Sequence, residues 1–148
     1  MKPLPHRYDA YLKGGPTGYG HLDCVGRRTL AAAPPIEFGG PGDAWSPEHL
    51  LLASVESCFL FTFRAVARAS NLEFVNMHVH IEGTVDRQAG VTRFTEIVIR
   101  PRLTLASGAD RAKVAAVVAK TEKACLVSAT LAIPVRVEAE VVENEAAA

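Results

Sequence analysis

The stretch SPEHLLLASVESCFLFTFRAVARASN, residues 46–71, decides how this chain folds. Ser46 can cap a helix, Pro47 suits its first turn, and Glu48 puts negative charge where the helix dipole favours it. Leu51, Val55, Cys58, Phe59, Thr62 and Val66 then recur at helical spacing, while Leu52, Phe61 and Phe63 carry apolarity round most of the circumference. Asn71 can end the helix. The apolar run from Leu50 to Phe63 is interrupted by Glu56 and closed by Arg64, too short and too charged to span a bilayer. It reads as a buried helix, enclosed on nearly all sides. A chain of 148 residues has few elements with which to surround it, so a second copy is expected to cover the remaining face.

On either side of this helix the pattern changes to strands. Arg7 to Lys13 and Tyr19 to Val25 read as the arms of a hairpin around the turn residues 14–18. Residues 31–43, rich in glycine and proline, read as a loop. After the helix, Phe74 to Arg87 is expected as a strand with Val75, Met77, Val79 and Ile81 on one face and Asn76, His78, His80 and Glu82 on the other. Gln88-Ala89-Gly90 turns the chain. Thr92 to Leu105 returns, with Phe94, Glu96, Val98, Arg100 and Arg102 on one face and Pro101 marking an edge or bulge. Ser107 or Asp110 opens a second helix with a stripe at Val114, Val117, Val118, Thr121 and Cys125. Pro134 to Val142 is expected as a last strand with Val135, Val137, Ala139 and Val141 inward, ahead of a frayed Glu/Ala tail. No internal repeat or linker breaks the chain, so one α+β domain over 1–148 is the economical reading.

Composition narrows the function. Sixteen basic residues face sixteen acidic ones, and the formal charge is zero, so nucleic acid is not an expected partner. Hydrophobic residues make up 49% and charged residues 22%, as in ordinary soluble globular domains. The polar, proline-containing start has no apolar signal segment, and three widely spaced cysteines form neither a zinc pattern nor a secreted disulfide framework, so a reducing cytoplasm is expected, with no membrane partner.

Chemistry can come from few places. Cys58 sits mid-helix and Cys125 at or just past the end of the second helix. Either could be an inert thiol filling apolar space, and a thiol in apolar surroundings needs a nearby cation to become a nucleophile. A helix C-terminus opposes thiolate formation, so Cys125 is better suited to resolve an oxidised partner than to attack first. If the two helices pack side by side, a sulfenic acid and then a disulfide become possible. Cys24, on the hairpin, reads as structural. His78 and His80 share a strand face without a third ligand and read as a polar outer face; no metal or other cofactor is expected. Glu56, on an apolar helix, must reach solvent, pair with an arginine or stay protonated. Gly39-Gly40-Pro41-Gly42 lacks the Gly-Lys-Ser/Thr of a phosphate loop, and no nucleotide site is expected.

Three segments together carry a family resemblance: Gly39-Gly40-Pro41-Gly42 leading to Ser46-Pro47-Glu48-His49-Leu50-Leu51, then Ser57-Cys58-Phe59, then Glu122-Lys123-Ala124-Cys125-Leu126-Val127-Ser128. The chain resembles, over nearly its whole length, the OsmC/Ohr family of osmotically inducible and organic hydroperoxide resistance proteins. The resemblance implies an intertwined homodimer, with antiparallel β-sheets wrapped around long central helices and two active sites at the subunit interface. It implies that Cys58 attacks a peroxide, that Cys125 closes a disulfide with it, and that dithiols such as dihydrolipoamide, free or on a lipoylated protein, regenerate the pair without metal or flavin. Glu48 matches the family glutamate that holds an arginine against the nucleophile. At the two places where the family carries that arginine this chain reads Gly14-Gly15-Pro16 and Ile36-Glu37-Phe38, and Leu126 replaces the proline often found after the second cysteine. A carboxylate alone raises the pKa of a nearby thiol, so Arg27 or Arg28 would have to substitute.

The expected function is therefore a thiol-dependent peroxidase that reduces organic hydroperoxides to alcohols, the apolar surroundings favouring bulky peroxides. The alternative is a dimer on the same scaffold that binds hydrophobic ligands or senses redox state without catalysis. It expects a Cys58 pKa near or above the ordinary thiol value.

Overall fold

In the computed structural model, residues 2–143 are described, apart from 107 and 109. The chain forms two compact units, 1–51 and 52–148. In the first, β1 (Tyr11–Lys13), β2 (Gly20–Asp23) and β3 (Leu30–Ala32) make an antiparallel sheet in that order. The first two strands are the expected hairpin, cut short at each end. The third falls at the edge of the stretch expected to be loop, and its outgoing end is tied down by a hydrogen bond from the Ala33 N–H to the Trp45 carbonyl, 3.0 Å. The Gly39-Gly40-Pro41-Gly42 run has a structural reason. Gly39 is left-handed (φ 80) where it closes a 3-10 turn over Ile36–Phe38, and a Cβ on Gly40 would fall on the Pro34 carbonyl.

α1 spans Pro47–Ala69, and the Ser46 hydroxyl caps it by accepting from the His49 N–H at 3.2 Å. Asn71, at φ 49, ends it in the left-handed conformation that asparagine tolerates. This 23-residue helix outruns the apolar segment read from sequence, and by length and composition alone it could cross a bilayer. Within the second unit one stripe of it packs into the core. Val55, Phe59, Phe63 and Ala67 form one fully buried stripe against the sheet of that unit. Enclosure on nearly all sides is not what the single chain shows: one sheet can cover only one flank of a helix, and Phe61 remains 60% exposed.

That sheet is built on β4 (Asn76–Gln88) and β5 (Val91–Leu105), antiparallel and joined by Ala89-Gly90, both at positive φ as a tight two-residue hairpin requires. Met77, Val79 and Ile81 face α1, and His78, His80 and Glu82 face outward, as expected. The register shifts between Thr84 and Val85, where Thr95 is the extra residue. This bulge turns Phe94 inward beside Val55 and Phe59, against the expectation that it shares a face with Glu96 and Val98. Beyond the bulge Ile97, Ile99, Leu103 and Leu105 are buried under the helices.

α2 (Arg111–Ala124) opens at Asp110, whose carboxylate accepts from the N–H groups of Ala112 and Lys113. Ser107, the other expected start, lies outside the described residues. Val114, Val117 and Thr121 are buried along the expected stripe. A short α3 (Leu126–Ala129) follows directly. The helical crossover returns the chain in the direction of β5, so β6 (Val135–Val137) and β7 (Glu140–Glu143) pair with β5 in parallel. They are two short strands where one was expected. Ala139 sits exposed at the break between them, not inward. Pro101 lies within β5 itself, between the residues that pair with β6 and those that pair with β7, so no ladder bond there needs its missing N–H. The expected Glu/Ala tail is, from 144 on, outside the described residues. On the exposed face, ion pairs Arg100–Glu82 (2.8 Å) and Arg136–Glu96 (2.8 Å) link neighbouring strands, and Arg100–Glu138 (3.0 Å) ties β5 to the break between β6 and β7.

Phe63 joins helix to sheet, 0% exposed and edge-on to Phe74 with ring centroids 5.3 Å apart. Truncation to alanine is expected to cost about 3–5 kcal/mol, read as a lower denaturant midpoint at unchanged slope, whereas His80→Ala on the outer face is expected to stay within about 0.5 kcal/mol.

Candidate active site

Rotation of α1 places Cys58. With Val55, Phe59 and Phe63 directed into the sheet, Cys58 and Thr62 fall side by side on the half-buried flank, one turn apart, with Sγ and Oγ1 separated by 3.9 Å. Cys125 arrives from the other direction. It is at once the last cap of α2 and the first cap of α3, with an extended backbone (φ −68, ψ 105) that breaks the two helices apart. Its side chain is 1% exposed, and its sulfur accepts a hydrogen bond from the Ser128 hydroxyl at 3.1 Å. Both residues are free thiols, and they lie close enough for each to perturb the acidity of the other. Two cysteines far apart in sequence thus occupy one site.

Their acidities are driven apart. Burial pushes the Cys58 thiol up, but the backbone N–H of Val127, the Cys125 thiol, the Thr62 hydroxyl and the backbone N–H of Leu126 all favour the thiolate, and together they hold its pKa below the ordinary thiol value. Burial also raises Cys125. The Ser128 hydroxyl and the nearby Ser128 N–H oppose it, but donation to Cys58 and that thiolate's charge reinforce it, and Cys125 stays above the ordinary value. At a pH where one of the pair is ionised, it is Cys58 that carries the charge, and Cys125 that keeps the proton.

Among the described residues, no cation is one of the groups that lower Cys58. The groups that lower it most are neutral donors at the junction of α2 and α3. Arg27 and Arg28 lie exposed in the turn after β2, and the Arg27 guanidinium donates to the Gly26 carbonyl at 3.2 Å. The junction also gives Leu126 a meaning. A proline at that position would have no N–H to offer, whereas leucine keeps one and directs it at Cys58.

The remaining candidates are placed more plainly. Glu48 sits in the first turn of α1, and its Oε2 is buried without a hydrogen-bond partner among the described residues. Glu56 is half-buried on the helix. Cys24 falls just past β2 and is exposed, not the structural thiol expected. His78 and His80 are both exposed on the outer strand face. Beside Cys125 a cleft of about 280 Å³ is lined by the apolar side chains of Phe59, Ile99, Ile133 and Val137 together with Ser128 and the charged Glu122 and Lys123.

Because Cys58 lies below and Cys125 above the ordinary thiol value, alkylation of Cys58 is expected to begin at lower pH, and that of Cys125 only at higher pH. Proline is well tolerated at the first position of a helix, and Cys125 already has the extended backbone that a following proline demands. Leu126→Pro is therefore expected to fold and to move the Cys58 alkylation midpoint to higher pH. An unmoved midpoint contradicts the assignment of that N–H.

Comparison with known proteins places the fold. Residues 40–140 match the family model described as OsmC-like protein. The uncharacterized protein YmaD of Bacillus subtilis (strain 168) is 31% identical over 97 residues, covering 64% of this chain and 65% of that protein, so the match spans slightly under two thirds of the relative. Among solved structures, an OsmC-like protein of unknown function from Vibrio cholerae superposes with a TM-score of 0.83 at 14% identity, over 91% of this chain and 99% of that one. An organic hydroperoxide resistance protein from Legionella pneumophila superposes with a TM-score of 0.74 at 25% identity, over 94% and 98%. The long capped helix and the sheet beneath it are thus set in a known scaffold, and the chain belongs to the OsmC-like protein family.

Proposed function

We propose that this protein is a thiol-dependent peroxidase that reduces organic hydroperoxides to alcohols. The observation that carries the reading is the pairing of two free thiols of opposed acidity in one half-buried site. The Cys58 thiolate attacks the terminal oxygen of ROOH; an S–O bond forms, the O–O bond breaks, and the alkoxide leaves to take up a proton as ROH. Cys58 is now a sulfenic acid. The Cys125 sulfur attacks the Cys58 sulfur, an S–S bond forms, and the hydroxyl departs as water. A dithiol such as dihydrolipoamide, free or protein-bound, then exchanges with the disulfide and restores both thiols. The lower acidity threshold of Cys58 suits the first attack, and its neighbour's retained proton suits the second step. The apolar cleft beside Cys125 suits substrates with a hydrocarbon group. The name of the Legionella structure points to the same substrate class. The lowered Cys58 pKa favours this reading over a non-catalytic ligand binder or redox sensor, which expects an ordinary thiol.

Glu48 is the third member of the proposed site, its unpaired buried oxygen suited to holding a guanidinium, with Arg27 or Arg28 as the donors available in this sequence. The protein is further proposed to act in a reducing cytoplasm as a single domain and as a homodimer in which a second copy covers the exposed flank of α1. Phe61, a large apolar side chain left 60% exposed on that helix, supports the dimer.

With cumene hydroperoxide and dihydrolipoamide, the wild type is expected to turn over, Cys58→Ser to lose activity entirely, and Cys125→Ser to consume one equivalent and stop at a sulfenic acid. Equal rates in wild type and Cys58→Ser would remove the assignment. In sedimentation the wild type is expected at about twice the 15.9 kDa chain mass, with Phe61→Lys shifted toward the monomer; a monomeric wild type contradicts the dimer.

A further inference from the structure

Ser128 has no part in the scheme above, yet its hydroxyl is committed in an unusual way. Neighbouring hydroxyls return their protons to helix carbonyls: Thr121 to Val117 at 2.8 Å and Thr130 to Val127 at 2.6 Å. Ser128, one turn into α3, donates instead to the Cys125 sulfur at 3.1 Å. Cys125 therefore accepts from Ser128, and it lies close enough to Cys58 for the two thiols to perturb each other. The Ser128 hydroxyl is thus fixed on the sulfur that neighbours Cys58. Both Ser128 and Cys125 border the apolar cleft, and Cys125 is almost fully withdrawn from water. A thiolate forming there cannot rely on bulk solvent for stabilisation, so a donor fixed on the sulfur has a large influence.

We infer that Ser128 is a positioning residue for the second step of the reaction: its hydroxyl holds the Cys125 sulfur toward Cys58 and stabilises the thiolate that forms on Cys125 as its proton leaves, before the S–S bond is made. The inference rests on the peroxidase reading. In the step concerned, the Cys58 sulfenic sulfur is reduced and the Cys125 sulfur oxidised; the S–S bond forms as the S–O bond breaks, and the proton of Cys125 leaves with the hydroxyl as water. Ser128 itself neither gains nor loses an atom. It acts through Cys125.

The test follows disulfide closure in the full-length protein by rapid mixing with one equivalent of cumene hydroperoxide, across a range of pH. Ser128→Ala is expected to slow closure about tenfold near neutrality, as for the loss of one hydrogen bond to a charged group, and to move the midpoint of the rate against pH upward. Ser128→Thr, which keeps the hydroxyl, is expected to restore both. Ser128→Gly serves as a second hydroxyl-free variant should the alanine form fail to fold. Closure at the wild-type rate, or slower closure with an unmoved midpoint, overturns the inference and leaves Ser128 a structural residue. A separate arm treats Cys125→Ser with the hydroperoxide and dimedone. A Cys58 adduct there upholds the first step whatever Ser128 does, and its absence defeats the peroxidase reading itself.

Discussion

The seating of Val55, Phe59, Phe63 and Ala67 on the sheet is the constraint from which the site follows. Four residues at a spacing of four fix the rotation of α1 about its axis, and each residue step turns a helix by about 100°. Rotation by one residue would exchange the buried stripe for its neighbours and carry Cys58 away from the α2–α3 junction. The same sheet positions the other half of the site. Val117 packs in the cluster around Phe63, and Val127 in the cluster around Phe59, so both sides of the junction that bears Cys125 rest on the core that orients Cys58. Two sulfurs meet because two clusters share one floor.

Within that geometry, acidity is a contest between water lost and donors gained. Both thiols are disfavoured as anions by burial. Cys58 faces backbone N–H groups at the start of α3 and is offered the proton of its neighbour. Cys125 must give that proton and then feel the resulting charge. The asymmetry needs no charged side chain. It arises because Cys58 has more donors than Cys125 and Cys125 feels the charge of its neighbour, and it assigns the order of events: the sulfur that ionises first reacts first, and the sulfur that keeps its proton waits.

Much of this was legible in the sequence. The helix over 47–69, its Ser46 cap, the β4–β5 hairpin and the stripe of α2 follow from spacing and caps, because each depends on residues close together in the chain. The two cysteines and their roles came from a family pattern, with helix position supporting the second. What spacing could not reveal is non-local. The inward turn of Phe94 depends on a bulge whose extra residue, Thr95, carries no glycine or proline to advertise it. The splitting of the last strand follows from pairing on β5, not from the composition of 134–142. The donors to Cys58 are backbone groups of Leu126 and Val127, and backbone groups have no sequence signature. The one available signal was Leu126 standing in place of a proline, which reads as a departure until the restored N–H is counted.

The most direct measurement is mass spectrometry of peptides from the protein after exposure to one equivalent of an organic hydroperoxide without reductant. A single linkage between the Cys58 and Cys125 peptides, with Cys24 still free, is the predicted product. Recovery of both cysteines as unmodified thiols, or a bridge that runs through Cys24 instead, contradicts the account.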